Sequence, residues 1–183
     1  MNTIRLNAAN ALSLTRVALA IPIVWIGVVV PYADRLYFVA LACFLVGIIT
    51  DIADGIVARR HGGTLLGSAL DPVADAVLIL AAIFPFALHI PALTFAFIVL
   101  ALRDAFVFDL RVRLARHGIA LPAVPASKAK TAFLDVACVF LLLAMATFGS
   151  VFLGIAYGAL VGGVFLSLTS ALRYFSRARA AHA

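Results

Sequence analysis

The chain has 183 residues, of which 66% are hydrophobic and 12% charged, with a mean hydropathy of +1.18. A water-soluble globule of this size could not cover such a composition with polar surface. An integral membrane protein is expected, all-α and built as a single domain over residues 1–183, with roughly six helices of about 20 apolar residues and no extramembrane domain. Fourteen Lys and Arg against eight Asp and no Glu give a net charge of +6, and in a membrane protein such an excess points to anionic lipid headgroups, not to nucleic acid. Cys43 and Cys138 lie singly in apolar runs, which gives no sign of a disulfide framework or a thiolate metal site.

In chain order, apolar stretches at 11–30, 36–57, 67–90, 92–114, 131–148 and 151–174 predict six transmembrane helices, separated by Pro31, Gly62-Gly63, Pro91, the Pro122 to Pro125 stretch and Gly149. With the N-terminus inside, the inner segments carry Arg5, Arg16, Arg59, Arg60, Arg111, Arg113, Arg116, Lys128, Lys130, Arg173, Arg177 and Arg179, against Arg35 outside. The positive-inside rule then places both termini in the cytoplasm. The first span reads as a retained signal anchor. The loop 117–128 is long enough for an interfacial structure. Pro22 and Pro85 are expected to kink their helices, and Gly154, Gly158, Gly162 and Gly163 to permit close helix packing.

Half of the acids, Asp51, Asp54, Asp71 and Asp75, fall within twenty-five residues. An ionised carboxylate facing lipid costs several kcal/mol, so these must face one another, water or a cation. Asp51 and Asp54 are three apart, Asp71 and Asp75 four apart, so each pair shares a helix face. The short connection between the second and third spans predicts an antiparallel hairpin, with Asp54 and Asp71 about 6 Å from its end and Asp51 and Asp75 a turn deeper. Oxygen ligands without His or Cys favour hard divalent ions. Gly55 and Gly67 leave room for a ligand close to the helices, and Arg59 offers a planar fork for phosphate. An ion or proton pathway would also place carboxylates in a membrane, but it does not explain Gly55, Ala58, Arg59 and Gly67 at these offsets.

The pattern Asp51-x2-Asp54-Gly55-x2-Ala58-Arg59-x7-Gly67-x3-Asp71-x3-Asp75 resembles the signature of the CDP-alcohol phosphotransferase (CDP-alcohol phosphatidyltransferase) family of membrane enzymes. NAANALSLTR at 7–16 is similar to the family's N-terminal Asn-x-Pro-Asn segment with its following Thr and Arg, with Ala9 in place of Pro. Arg103-Asp104 and the run from Ser127 to Thr131 resemble motifs of the phosphatidylglycerophosphate synthase branch, and GSALDPVAD at 67–75 resembles the CMP-forming cardiolipin synthases. The chain departs from the branch at Ala76, where Lys is common, at Ala126 or Ser127, where Gly is common, and at Leu134, where Gln is usual.

The resemblance implies an enzyme of the cell (inner) membrane, with its active site facing the cytoplasm and a homodimeric assembly. It would transfer a phosphatidyl group from CDP-diacylglycerol to sn-glycerol 3-phosphate, releasing CMP, with phosphatidylglycerol as the alternative acceptor and divalent-cation transport as the rival of a different class. Asp51, Asp54 and Asp71 would hold a pair of Mg²⁺ or Mn²⁺ ions, and Asp75 would complete the site and act as the base. Asn10, Gly55, Ala58, Arg59, Thr64 and Gly67 would frame the CDP donor. An anionic acceptor needs a cationic cradle, for which Arg103, Arg111, Lys128, Lys130 and Arg173 are candidates. Arg111, Arg113, Arg116, Arg177 and Arg179 are also explained by positive-inside anchoring. Arg103 lies well inside a span, where Asp104 beside it is not expected to share its face. Asp109 and Asp135 are expected to pair with arginines, and no His is given a catalytic role.

Overall fold

The computed structural model describes residues 8–30, 34–61, 65–116 and 125–182, with side chains over 13–30, 35–53, 72–113 and 127–176. These residues form six helices and no strand: α1 (Ala8–Val29), α2 (Asp34–His61), α3 (Leu65–Ala87), α4 (Pro91–Arg116), α5 (Pro125–Thr147) and α6 (Ser150–His182). Helices satisfy every backbone group within the segment, which an apolar surrounding demands. Even α1, with 22 residues, reaches about 33 Å at helical rise, as against about 30 Å of hydrocarbon.

Local chemistry sets the boundaries. Pro91 and Pro125 open α4 and α5, where a missing N–H costs nothing. The Thr94 hydroxyl lies 2.5 Å from the carbonyl of Ala87 and 3.1 Å from that of Ile90, closing the turn from α3 into α4. Between α5 and α6, Phe148 takes a left-handed φ of 52°, which stops α5 and hands the chain to Gly149. α1 runs on through Pro22, and α3 through Pro72 and Pro85.

Arg35–Ala53, Ser127–Thr147 and Ser150–Ser176 are long and apolar enough to cross a membrane, and Ser13–Val29 and Pro72–Ala87 are shorter apolar stretches. The second half of α4 is interrupted by Arg103, Asp104, Asp109 and Arg111. Ile21, Trp25, Phe95, Leu102, Val161 and Leu172 point outward and are exposed. An apolar exterior of this kind, around helices of this length, is that of a membrane protein.

Packing joins the helices in the cyclic order α1, α2, α5, α6, α4, α3 and back to α1, with lesser contacts of α3 to α5 and α2 across the middle. Among the described residues the two helices of the α2–α3 hairpin expected from the short connection meet only over a small area. The apolar face of α1 around Ile23 and Ile26 fills the space between the two helices. Gly27 lets Pro85 approach α1, and Gly47 lets Leu78 reach α2. Gly162 and Gly163 sit against Phe133 and Leu134 of α5, as expected of close-packing glycines, whereas a Cβ added at Gly154 or Gly158 would meet no atom within 4 Å among the described residues. Up-and-down alternation brings the starts of α1, α3 and α5 and the ends of α2, α4 and α6 to one end of the ring.

Candidate active site

Charged side chains gather at that end. Arg16 on α1 is fully buried, and its Nη1 donates to Asp51 Oδ1 on α2 at 2.6 Å, while the Asp51 side chain is 46% exposed. Asp75 on α3 accepts from the Thr131 hydroxyl of α5 at 3.4 Å. It lies within electrostatic reach of Asp51, Lys130, Arg16 and Asp104. Asp135, one turn beyond Thr131, lies on the same α5 face, which continues to Cys138, whose thiol meets the carbonyl of Ile79. Asp135 thus faces α3 and lies within reach of Asp75 and Asp51, not against an arginine as expected. Asp109 does pair with Arg113, at 2.8 Å on the surface.

The backbone carries Asp54 one turn beyond Asp51 in α2, and Asp71 one turn before Asp75 in α3. The side chains of Asp54, Gly55, Ala58, Arg59, Gly67, Asp71 and Asn10, and Thr64 altogether, lie outside the described residues. Among the described residues no three acidic, His or Cys side chains converge as a metal site. Asp51 of α2 and Asp75 of α3 are an oxygen-only donor set, and the half-exposed Asp51 carboxylate bonds Arg16 through one oxygen. Such donors fit a hard divalent ion.

Beside Asp75 opens a cavity of about 450 Å³ between α3, α4 and α5. Its polar wall is Asp75, Arg103, Asp104, Arg111, Ser127, Lys130 and Thr131; its apolar wall includes Val73, Val77, Leu80 and Phe108. Ala76 also lines it, so the missing Lys at that position leaves the cavity wider. Lys130 is buried and donates to both Asp104 oxygens, at 3.0 and 3.3 Å. Arg103 donates from Nε to the Ser167 carbonyl at 3.0 Å, from Nη1 to Asp104 at 2.5 Å, and from Nη2 to the Ser170 hydroxyl. Arg103 and Asp104, expected on different faces, therefore meet because both side chains turn toward the α4–α5–α6 seam. Arg111 donates to the Tyr174 hydroxyl at 2.5 Å and lies 4.9 Å above its ring, while its buried Nε has no partner among the described residues.

The cavity thus brings together Arg103, Arg111 and Lys130 of the five cationic candidates. Lys128 and Arg173 point outward, are exposed, and are not part of its lining. Three features escaped sequence reasoning: the buried Arg16–Asp51 pair, Asp104 as a link between Arg103 and Lys130, and the inward register of Asp135. The four-residue spacing of Thr131 and Asp135 was the available signal for the last. Leu134, in the position where Gln is usual, is a core residue packed on Gly163.

A second, apolar groove of about 660 Å³ runs between α1 and α3, walled by Val17, Ile21, Val24, Trp25, Ala81 and Phe84. It shares Val77 and Leu80 with the polar cavity. One stripe of α3 therefore leads from Asp75 into the apolar zone.

An all-helical membrane bundle with acids and buried cations around one cavity at its end is a setting for phosphate chemistry on a lipid. The CDP-alcohol phosphatidyltransferase family model matches residues 6–168, and the chain belongs to this family of phosphatidyltransferase enzymes. It is similar to the CDP-diacylglycerol--glycerol-3-phosphate 3-phosphatidyltransferase of Bacillus subtilis (strain 168), with 32% identity covering 93% of this chain and 94% of that one. The protein of the same name from Wigglesworthia glossinidia brevipalpis is 28% identical over the same shares. The CMP-forming cardiolipin synthase of Rattus norvegicus is 44% identical over 72 residues, 38% of this chain and 22% of that relative. The chain thus spans under a quarter of the rat protein's length.

Proposed function

We propose that the protein transfers the phosphatidyl group of CDP-diacylglycerol to sn-glycerol 3-phosphate, releasing CMP and forming phosphatidylglycerophosphate. In this reading it crosses the cell membrane six times, with both termini and the active site on the cytoplasmic side and two copies forming the assembly. The observation that carries the reaction is the cation-walled cavity opening directly against Asp75. Helix lengths and the basic residues gathered at the site's end support the topology.

An alcohol is a poor nucleophile at neutral pH. Asp75, held toward the cavity by Thr131, accepts the hydroxyl proton as the oxygen attacks the phosphorus that bears diacylglycerol, and the bond to the CMP oxygen breaks. Lys130 and Arg111 face the acceptor's phosphate; Asp104 and Arg103 hold Lys130 in place. Asp51, Asp54, Asp71 and Asp75 would hold Mg²⁺ or Mn²⁺, which supplies charge stabilisation to the transferring phosphoryl group and the departing nucleotide. Asn10, Gly55, Ala58, Arg59, Thr64 and Gly67 remain the candidates for the donor's CDP moiety, a role carried over from the family resemblance. The α1–α3 groove offers the donor a lateral path from the leaflet.

The continuity of groove and cavity at Val77 and Leu80 favours a second reading, in which the acceptor is itself a lipid, phosphatidylglycerol. Purified protein incubated with labelled CDP-diacylglycerol, Mg²⁺ or Mn²⁺ and a panel of alcohols decides between them. CMP release with glycerol 3-phosphate supports the first reading, release with phosphatidylglycerol alone supports the second, and release with neither ends both.

A further inference from the structure

We infer that Arg16 is a resident counter-cation of the carboxylate layer: a positioning residue that holds Asp51 in place before any divalent ion arrives. The inference rests on the metal reading above. Arg16 sits on α1, the helix that packs between α2 and α3, and these two helices carry the two acid pairs. It is fully buried, bonds Asp51 Oδ1 at 2.6 Å and lies within electrostatic reach of Asp75. A guanidinium stays charged at every accessible pH, and a buried charge is retained only where an opposite charge faces it. Acids crowded at one level repel one another when metal is absent. A fixed positive charge at the junction of their helices offsets that repulsion, and the bond takes one Asp51 oxygen while the half-exposed carboxylate stays open on its other side. The site is thereby assembled with or without its ions.

The test is thermal unfolding of the full chain in detergent, first in chelator and then with added Mn²⁺, for wild type, Arg16→Gln and Arg16→Lys. In chelator Arg16→Gln should lose on the order of 5 °C in Tm, since it leaves the acids uncompensated. Mn²⁺ should then raise the Tm of Arg16→Gln by more than it raises that of wild type. Arg16→Lys, which keeps the charge, should show the wild-type rise. Arg16→Gln that folds only with Mn²⁺ present also supports the inference. If Arg16→Gln folds under neither condition, the Arg16→Lys rise decides, and a rise unlike wild type overturns it. An equal or smaller rise in Arg16→Gln means that Arg16 only ties α1 to α2, and overturns the inference while leaving the metal reading intact. No rise in wild type overturns both.

Discussion

Asp104 on α4 accepts from Lys130 on α5 and from Arg103 of its own helix, so one carboxylate fixes two cations at the rim of the same cavity. Arg103 is in turn fastened to α6 through the Ser167 carbonyl. The ammonium of Lys130 thus faces the cavity from a position set by three helices.

Removing Lys130 should therefore act on the acceptor. In Lys130→Met, Asp104 keeps Arg103 as its partner, so folding should be largely preserved. A charge-assisted hydrogen bond contributes about 1.5–3 kcal/mol, so KM for glycerol 3-phosphate should rise roughly 10- to 100-fold. Steady-state kinetics at saturating CDP-diacylglycerol measures it, and an unchanged KM would remove Lys130 from the acceptor site.

Asp75→Asn keeps shape and polarity but removes the proton acceptor. Single-turnover CMP release should fall by about 10² to 10⁴, the usual contribution of a general base, while donor affinity changes much less. Equal losses in binding and rate would make Asp75 a metal ligand without a proton-transfer role.

Chelation should stop CMP release, and Mg²⁺ or Mn²⁺ should restore it. Asp51→Asn, Asp54→Asn and Asp71→Asn should each abolish turnover at ordinary metal concentrations. Full activity in chelator would end the metal-dependent mechanism.

Two glycines of α6 should respond oppositely to the same change. At Gly163 an added Cβ would lie 2.8 Å from Leu134 Cγ, so Gly163→Ala should destabilise by about 1–3 kcal/mol. At Gly154 there is open space, so Gly154→Ala should be neutral or stabilise by up to about 1 kcal/mol. Thermal unfolding of both variants reads the difference; equal effects would contradict the α5–α6 seam.

Cysteines introduced as Arg60→Cys and Gly63→Cys, in a background lacking Cys43 and Cys138, should react with an impermeant reagent added from the cytoplasmic side only. Labelling from the opposite side alone would invert the topology.

Hydropathy alone made the six helices legible, because a lipid-facing backbone admits little else and the separators Pro31, Pro91 and Gly149 stand between them. The acid spacing sets Asp51 and Asp54, and Asp71 and Asp75, about one turn apart along α2 and α3, because helical period is local. What the sequence did not carry was which helices touch. The short α2–α3 connection suggested a hairpin, but Gly27, which lets Pro85 of α3 approach α1, and the Ile23 face set α1 between them, while Gly47 and Leu78 keep a point of direct α2–α3 contact. Cations were equally ambiguous: Lys128 and Lys130 look alike in sequence, and only the rotation of α5 turns one to the cavity and the other outward. Adjacent residues such as Arg103 and Asp104 diverge at the backbone, so their meeting depended on long side chains bending into one seam.

The circular order α1, α2, α5, α6, α4, α3 differs from the order of synthesis, and that has a consequence for biogenesis. A nascent chain that has released its first three helices already holds the aspartate motif and Arg16, yet it has no cavity wall from α4 or α5. α5 must then cross past α4 to dock on α2, and α6 closes the gap between them, bringing Ser167 and Ser170 to Arg103. A half-inserted chain therefore carries the acids of the site but not the Arg103, Asp104 and Lys130 wall of its cavity, which α4 and α5 supply and α6 fastens through Ser167 and Ser170.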